Sequence, residues 1–373
     1  MRIFNKISGR IVQIMMVTAV ILMLSVVTQQ SVKASLNYTE EQVTMPSLTK
    51  EEIQGLNIQI KYYIEPEANK EDLKKLALLK YNDAMKLIED FSLKIGTNIN
   101  SDIDDIGYQI FVKRLGTNFD LFSKEEIEKI IEFVKFIDLY ENIDKNNRIR
   151  AYENKLNNLG LLSSDDLADL ISILPVVAFE STHNSITGTS IENDQSLSSY
   201  TNGYNPTVAR DYAYRWWNSR NNTEFPYYKN YYGCDACWND CTNFVSQALY
   251  KGGALFWKGL FLTGDNAWYY EDGFMQKPSH SWGGAHNFYN HWRKRADLAA
   301  YDTDLKVGDP VNADFTGDGD IDHTALITKI ENGKRLLTQH TTDRKDAPLQ
   351  KWYDARYVVY GWKMDTARKT PND

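Results

Sequence analysis

The sequence predicts an α+β protein, in which an all-helical N-terminal region precedes a C-terminal region built on an antiparallel sheet. Before residue 180, apolar residues recur at the spacing of amphipathic helices. Strand-like segments separated by turn residues occur near the C-terminus instead. All nine Trp residues lie at or after Trp216, so the two regions also differ in composition. Helices followed by an antiparallel sheet are typical of the α+β class.

Three helices are predicted in the N-terminal region. Ser123 and Glu126 form a capping-box pattern, and apolar residues follow it at helical spacing. Another helix is predicted over residues 71–91. The third begins after Ser163 and ends before Pro175. The apolar stripes predict a helical bundle that buries them.

The chain divides into four predicted segments. Basic residues, an apolar run and small residues before position 35 are typical of a secretory signal peptide cleaved after Ala34. An uncleaved membrane anchor is the alternative. The predicted boundaries are 1–34 for the signal peptide, 36–180 for the helical N-terminal domain, 181–203 for a Ser/Thr/Asn-rich linker, and 204–365 for the C-terminal domain.

The C-terminal domain has a predicted helix followed by strands. A short helix is expected over residues 241–250, ended by two glycines. Strands are expected over residues 324–330 and 335–340, joined by an Asn332-Gly333 hairpin turn. A third strand is expected over residues 357–362.

The net charge of −8 argues against nucleic-acid binding. A nucleic-acid-binding domain usually carries a basic patch or stripe, and the second half of the chain has no Lys/Arg cluster. The negative net charge also argues against bulk attraction to an anionic polymer. If the protein binds an anionic polymer, a groove of matching shape must recognise it.

Cys241 is the candidate nucleophile. It follows Asp240 at a predicted helix start, where unpaired backbone N–H groups and the helix dipole favour a thiolate. A cysteine nucleophile needs a base, and His323 at the start of a predicted strand is the candidate. His340, at the end of the neighbouring strand, is the first choice for the group that orients His323, and Asp343 is the second. An inert buried thiol is the alternative interpretation of Cys241.

The three cysteines of the chain lie within eight residues, at Cys234, Cys237 and Cys241. Their spacing with a histidine allows a zinc site, but the second, distant ligand pair of common zinc motifs is missing. A Cys234–Cys237 disulfide would leave Cys241 free, and two ordinary free thiols are the remaining alternative.

Four sequence blocks carry a resemblance to a known family. They read DCTNFVSQALYKGG, SHSWGGAHNFYNHW, LKVGDPVNADFTGDGDIDHTALIT and TQHTTD. Together they resemble the amidase-domain family of secreted Gram-positive proteins, which is similar to the papain-like NlpC-type and CHAP cysteine peptidases. The resemblance covers about residues 204–362 and does not extend to the N-terminal helices.

The resemblance implies a papain-like fold and a secreted or cell-surface hydrolase that cuts amide bonds in peptidoglycan. It implies Cys241 as nucleophile, His323 as base and a polar residue such as His340 as orienter. The bond is either the muramoyl–alanine amide or a peptide bond in the stem or cross-bridge. A catalytically silent module that binds the wall or a partner is the alternative. Further candidates for substrate binding or the oxyanion hole are Asp240, Asn243, Gln247 and Trp282.

The segment before His323 resembles a calcium loop. Asp314, Asp318, Asp320 and Asp322 occur at loop-like spacing, with Gly319 at the sixth position. Ala325 occupies the twelfth position, where such loops carry a bidentate Glu. A polar turn without an ion is the alternative, so no cofactor is required by the sequence.

Overall fold

The computed structural model describes residues 47–49, 53, 58–97, 99–176, 180–185, 199–225, 240–259, 262–271 and 278–373. The predicted signal peptide, Cys234 and Cys237 lie outside these residues. Residues Pro46–Asp373 form one compact unit. Within the described part of the chain, no helix combines the length and apolarity needed to cross a membrane.

The N-terminal region is helical, as the sequence predicts. The helix expected over residues 71–91 is two helices, because Tyr81 adopts φ −111° and ψ 13° between them. The Ser123–Glu126 capping box is present and begins a helix of 36 residues, longer than the predicted apolar stripe. This helix ends at Gly160, whose φ of 70° suits glycine. The helices are α1 Lys70–Lys80, α2 Asn82–Lys94, α3 Ile106–Leu115, α4 Lys124–Leu159 and α5 Ser164–Ile173.

Two short strands, β1 Ser47–Thr49 and β2 Leu161–Ser163, pair beside these helices. The larger part of the fold is a six-stranded antiparallel sheet in the order β3-β8-β4-β5-β6-β7. Its strands are β3 Asp297–Leu298, β4 Pro310–Asp314, β5 His323–Glu331, β6 Lys334–Gln339, β7 Arg344–Pro348 and β8 Val358–Lys363.

The predicted hairpin and third strand are confirmed. Strands β5 and β6 pair around Asn332 and Gly333, whose φ values of 50° and 74° match a turn with two left-handed residues. The C-terminal helices are α6 Pro206–Trp216, α7 Cys241–Lys251, α8 His280–Gly283, α9 Ala285–Arg295 and α10 Gln350–Asp354, and short 3₁₀ helices lie at Asp302–Asp304 and Met364–Thr366. The fold is therefore α+β with an antiparallel sheet.

The large sheet is covered on both faces. Side chains alternate between the faces along each strand. Ala325 and Ile327 of β5 join a core formed with helices α1 to α4 and α10. Leu326, between them, joins a second core formed with helices α6, α7 and α9. The N-terminal helices thus share a hydrophobic core with the sheet, although the domain boundaries remain sequence-based predictions.

The start of the predicted linker is attached to the sheet. The backbone N–H of Thr182 donates to the Val359 carbonyl at 2.7 Å, and its hydroxyl donates to the Ala299 carbonyl at 2.8 Å. Thr182 is buried. Residues 186–198 of the predicted linker lie outside the described part of the structure.

Candidate active site

Cys241 is the first residue of helix α7, as the sequence predicts. Its side chain is buried, with 2% of its surface exposed. The sulfur lies 3.6 Å from the Thr242 hydroxyl. Burial raises the pKa of the thiol, while hydrogen bonds from Thr242 and from the backbone of Thr324 oppose the rise. The resting thiol is therefore protonated, with backbone donors close to the sulfur.

A cavity of about 250 Å³ reaches Cys241. Helices α3, α4 and α5 form one side of the cavity, and the segment before β5 and the start of α9 form the other. The wall combines polar and apolar residues, and its charged residues and histidine are Lys113, Glu141, Lys145, Arg148, His286, Asp320 and Asp322. The N-terminal helices therefore help to enclose the space beside the thiol.

His323 is the first residue of β5, but its ring does not contact Cys241. The ring lies 5.7 Å from the Trp352 ring, edge-on, on the face of the sheet covered by the N-terminal helices. Burial lowers the pKa of His323 to about 4, and a hydrogen bond with Gln339 opposes this shift. Its Nε2 atom has no partner among the described residues. His323 is thus neutral and has an imidazole nitrogen available.

Helix α7 covers the opposite face of β5. The Thr242 hydroxyl lies 2.9 Å from the Thr324 hydroxyl, on the face that helix α7 covers. Alternation along the strand places His323 and Thr324 on opposite faces. The structure therefore brings Cys241 to the residue after His323 and not to the imidazole itself.

His340 was predicted to orient His323, but its ring nitrogens contact other groups. Its Nδ1 atom lies 2.6 Å from Asp240 Oδ2, and its Nε2 atom lies 2.8 Å from the Trp216 carbonyl oxygen. The ring also stacks on Phe244 at 3.9 Å. Because both ring nitrogens are engaged, His340 does not orient His323 in this structure. Gln339, one residue earlier, has that contact.

The second choice for the orienting group is also engaged elsewhere. Both carboxylate oxygens of Asp343 accept hydrogen bonds of 2.9 Å from the Arg220 guanidinium. Arg220 Nε lies 2.6 Å from Asp240 Oδ2 as well. Arg220 therefore links Asp343 to the residue before Cys241.

The remaining predicted candidates form a buried network behind the nucleophile. Asn243 donates to Asp240 at 2.6 Å and accepts from the Trp282 indole N–H at 2.8 Å. Gln247 accepts from the Tyr212 hydroxyl at 2.6 Å. These contacts fix the first turn of helix α7, so they support the position of Cys241. Their predicted role in binding substrate or an oxyanion is not visible in these contacts.

Sequence reasoning did not single out His286, which lines the same cavity as Cys241. Its Nδ1 atom lies 3.1 Å from Asp320 Oδ1, and its Nε2 atom lies 3.0 Å from the Leu174 carbonyl oxygen. The signal was present, because His286 stands within the SHSWGGAHNFYNHW block. His286 and Asp320 belong to segments that are far apart in the sequence, and no local sequence pattern predicts their contact.

The four aspartates of the predicted calcium loop fall into two groups. Asp320 and Asp322 pair with lysines of the N-terminal helices: Lys145 with Asp320, and Lys113 with Asp322 at 2.6 Å. Asp314 instead accepts three backbone N–H groups of its own loop. Asp318 accepts a hydrogen bond of 2.5 Å from Asn142 of helix α4.

Comparisons with known proteins point to one class of domain. The chain is 30% identical over 169 residues to the uncharacterized protein YhbB of Bacillus subtilis, covering 44% of this chain and 46% of that protein. It is 29% identical over 161 residues to the uncharacterized protein YjcM of the same species, covering 40% and 33%. The chain thus spans less than half the length of these relatives. No solved structure matches it. Residues 203–362, which carry Cys241 and the large sheet, match the family described as "Putative amidase domain".

Proposed function

We propose that this protein is a cysteine hydrolase that cuts amide bonds in peptidoglycan, with a papain-like active site and Cys241 as nucleophile. The observation that carries the proposal is the thiol at the first turn of helix α7, in the wall of a cavity that also holds charged side chains. The match of residues 203–362 to an amidase domain supports amide hydrolysis. Peptidoglycan as substrate and secretion as location rest on the resemblance described above.

The proposed reaction has two halves. His323 takes the thiol proton, and the thiolate attacks the amide carbonyl carbon. The N–H groups near the sulfur, including that of Thr324, stabilise the negative oxygen of the intermediate. The protonated base then gives its proton to the leaving amine. Water, deprotonated by the same base, hydrolyses the thioester and releases the acid.

This reaction requires a change from the resting arrangement. The thiol is protonated and no hydrogen bond joins it to the His323 ring, so the sulfur and the ring must come together before proton transfer. The thiol must also become more accessible to a polymer, because only 2% of the Cys241 surface is exposed. The resting structure is thus not the reactive arrangement of the proposed enzyme.

Two histidines compete for the role of base. His323 is neutral and has an unpartnered Nε2 atom. His286 shares the cavity with Cys241, but both of its nitrogens are engaged, by Asp320 and by the Leu174 carbonyl. We therefore propose His323. His323→Ala is expected to abolish activity, whereas His286→Ala retains a measurable fraction. The reverse ranking would transfer the role to His286.

A binding module without catalysis is the second candidate. The observation in its favour is the buried thiol, whose pKa burial raises. Labelling with iodoacetamide at neutral pH distinguishes the two, because an activated thiolate reacts much faster than an inert thiol. Selective labelling of Cys241 that is slowed by muropeptides supports the enzyme. Unselective labelling at the rate of a free thiol supports the binding module.

Digestion of purified peptidoglycan identifies the bond. A new free lactyl group indicates an N-acetylmuramoyl-L-alanine amidase, and a new amino-acid amine indicates an endopeptidase. Binding to the polymer without any new chemical end would refute hydrolysis of this substrate.

A further inference from the structure

Six acidic side chains converge where helix α4 meets the loop between β4 and β5. Two lysine ammonium groups accompany them, and one of these, Lys113, belongs to helix α3. Uncompensated buried carboxylates are costly, because charged groups lose hydration when they leave water. The acidic residues of this cluster are Asp138, Glu141, Asp314, Asp318, Asp320 and Asp322.

Lys113 neutralises one half of the cluster. Its Nζ atom lies 2.9 Å from Asp138 Oδ1 and 2.6 Å from Asp322 Oδ1. It also pairs with Glu141 and lies 3.7 Å from Asp320. Although burial alone would lower its pKa, these carboxylates raise the pKa of Lys113 well above the usual value. An ammonium group therefore already occupies this half.

The other half shares Asp138, which pairs with Lys113, and adds Asp314 and Asp318, which have no comparable cation. Oxygens of Asp138, Asp314 and Asp318 all lie within 4.8 Å of one another. Over residues 99–176 and 278–373, neither Asp314 nor Asp318 forms an ion pair within 4 Å. This half therefore gathers carboxylate oxygens, and two of its three residues have no ammonium group beside them.

Buried polar atoms without partners lie beside these carboxylates. Asn142 is fully buried, and its Oδ1 atom has no partner in the described part of the chain, while its Nδ2 atom lies 2.5 Å from Asp318 Oδ2. The Tyr360 hydroxyl is also buried without a partner and interacts electrostatically with Asp314 and Asp318. A buried amide oxygen without a donor, beside carboxylates, can serve as a ligand of a cation.

The loop supplies oxygen ligands at the expected positions. Asp314, Thr316 and Asp318 occupy positions one, three and five. The Thr316 hydroxyl donates to Asp138 Oδ2 at 2.7 Å, so Asp138 of helix α4 sits against the loop. Ala325 supplies no carboxylate at position twelve. Asp138 can provide that carboxylate from a different part of the chain.

We propose that Ca²⁺ binds between Asp138, Asp314 and Asp318, with the Thr316 hydroxyl and Asn142 Oδ1 as further ligands. Oxygen ligands with several carboxylates are the set that Ca²⁺ prefers. The ion joins helix α4 to the loop that leads into His323. Calcium therefore fastens the N-terminal helices to the segment that carries the proposed base.

Calorimetric titration of the full chain with CaCl₂, after treatment with chelator, tests the proposal. Wild type is expected to bind one ion and, at a hundredfold excess over Kd, to melt about 5 °C higher. Asp318→Asn is expected to lose both effects and, without calcium, to melt higher than metal-free wild type, because one repelling charge is gone. Asp144→Asn, on the exposed side of the same helix, is the matched control and is expected to behave as wild type.

Asn142→Ala provides a second variant in case Asp318→Asn does not fold. It removes one neutral ligand and is expected to weaken calcium binding about tenfold. The proposal is overturned if wild type shows no binding heat at millimolar calcium. It is equally overturned if Asp318→Asn or Asn142→Ala binds calcium as tightly as wild type. None of these readouts depends on hydrolytic activity.

Discussion

Replacing Lys113 by Met tests how the N-terminal helices are fastened to the sheet region. The ammonium group is the cation shared by Asp138 and Asp322, whose side chains are both 0% exposed. Met keeps most of the apolar stem but leaves these carboxylates uncompensated. Breaking a buried ion pair by removing one partner typically costs about 3–5 kcal/mol. We expect a loss of that size in the free energy of unfolding of Lys113→Met.

Lys129→Met is the matched control. Lys129 of helix α4 forms one ion pair with Asp83 at 2.8 Å, with side-chain exposures of 53% and 69%. Such exposed pairs contribute about 1 kcal/mol or less. Both variants are compared with wild type by urea unfolding in the presence of chelator. Equal midpoints for Lys113→Met and Lys129→Met would refute the view that Lys113 neutralises a buried acidic cluster.

Three further results are expected. His340→Ala should lower stability by about 2 kcal/mol in urea unfolding, because Asp240 loses a buried partner, and unchanged stability would contradict this role. Burial lowers the pKa of His323 to about 4, so folding disfavours its protonated form, and stability is lost as pH falls from 6.5 to 4. Over this pH range, His323→Gln should lose about 3 kcal/mol less free energy of unfolding than wild type does. A pH dependence identical to that of wild type would contradict this prediction. Gln339→Ala should reduce kcat and move the acid limb of the pH–rate profile, and an unchanged profile would exclude Gln339 as the orienting residue.

The locally encoded parts of the fold were predictable from the sequence. The Asn332-Gly333 turn and the Ser123 capping box depend on neighbouring residues, and both are present. The helix that begins at Cys241 is present for the same reason. The break at Tyr81 was not predicted, because apolar periodicity continues through it.

The long-range features of the site were not predictable in the same way. A shift of one residue along a strand moves a side chain to the other face, so pattern alone did not show that the His323 ring lies on the face of β5 opposite to helix α7. For the same reason, pattern alone did not show that His323 forms its hydrogen bond with Gln339, whereas His340 contacts Asp240. Asp138 lies 176 residues before Asp314 in the sequence, and only tertiary packing brings them together.

The central claim is that Cys241 performs amide hydrolysis. Its most direct test compares the rate at which the full-length wild type and Cys241→Ser release new ends from purified peptidoglycan. Both proteins must show the same urea midpoint, so that loss of folding is excluded. The account predicts that Cys241→Ser loses activity by about 10³-fold or more. Hydrolysis by Cys241→Ser at the wild-type rate would contradict it.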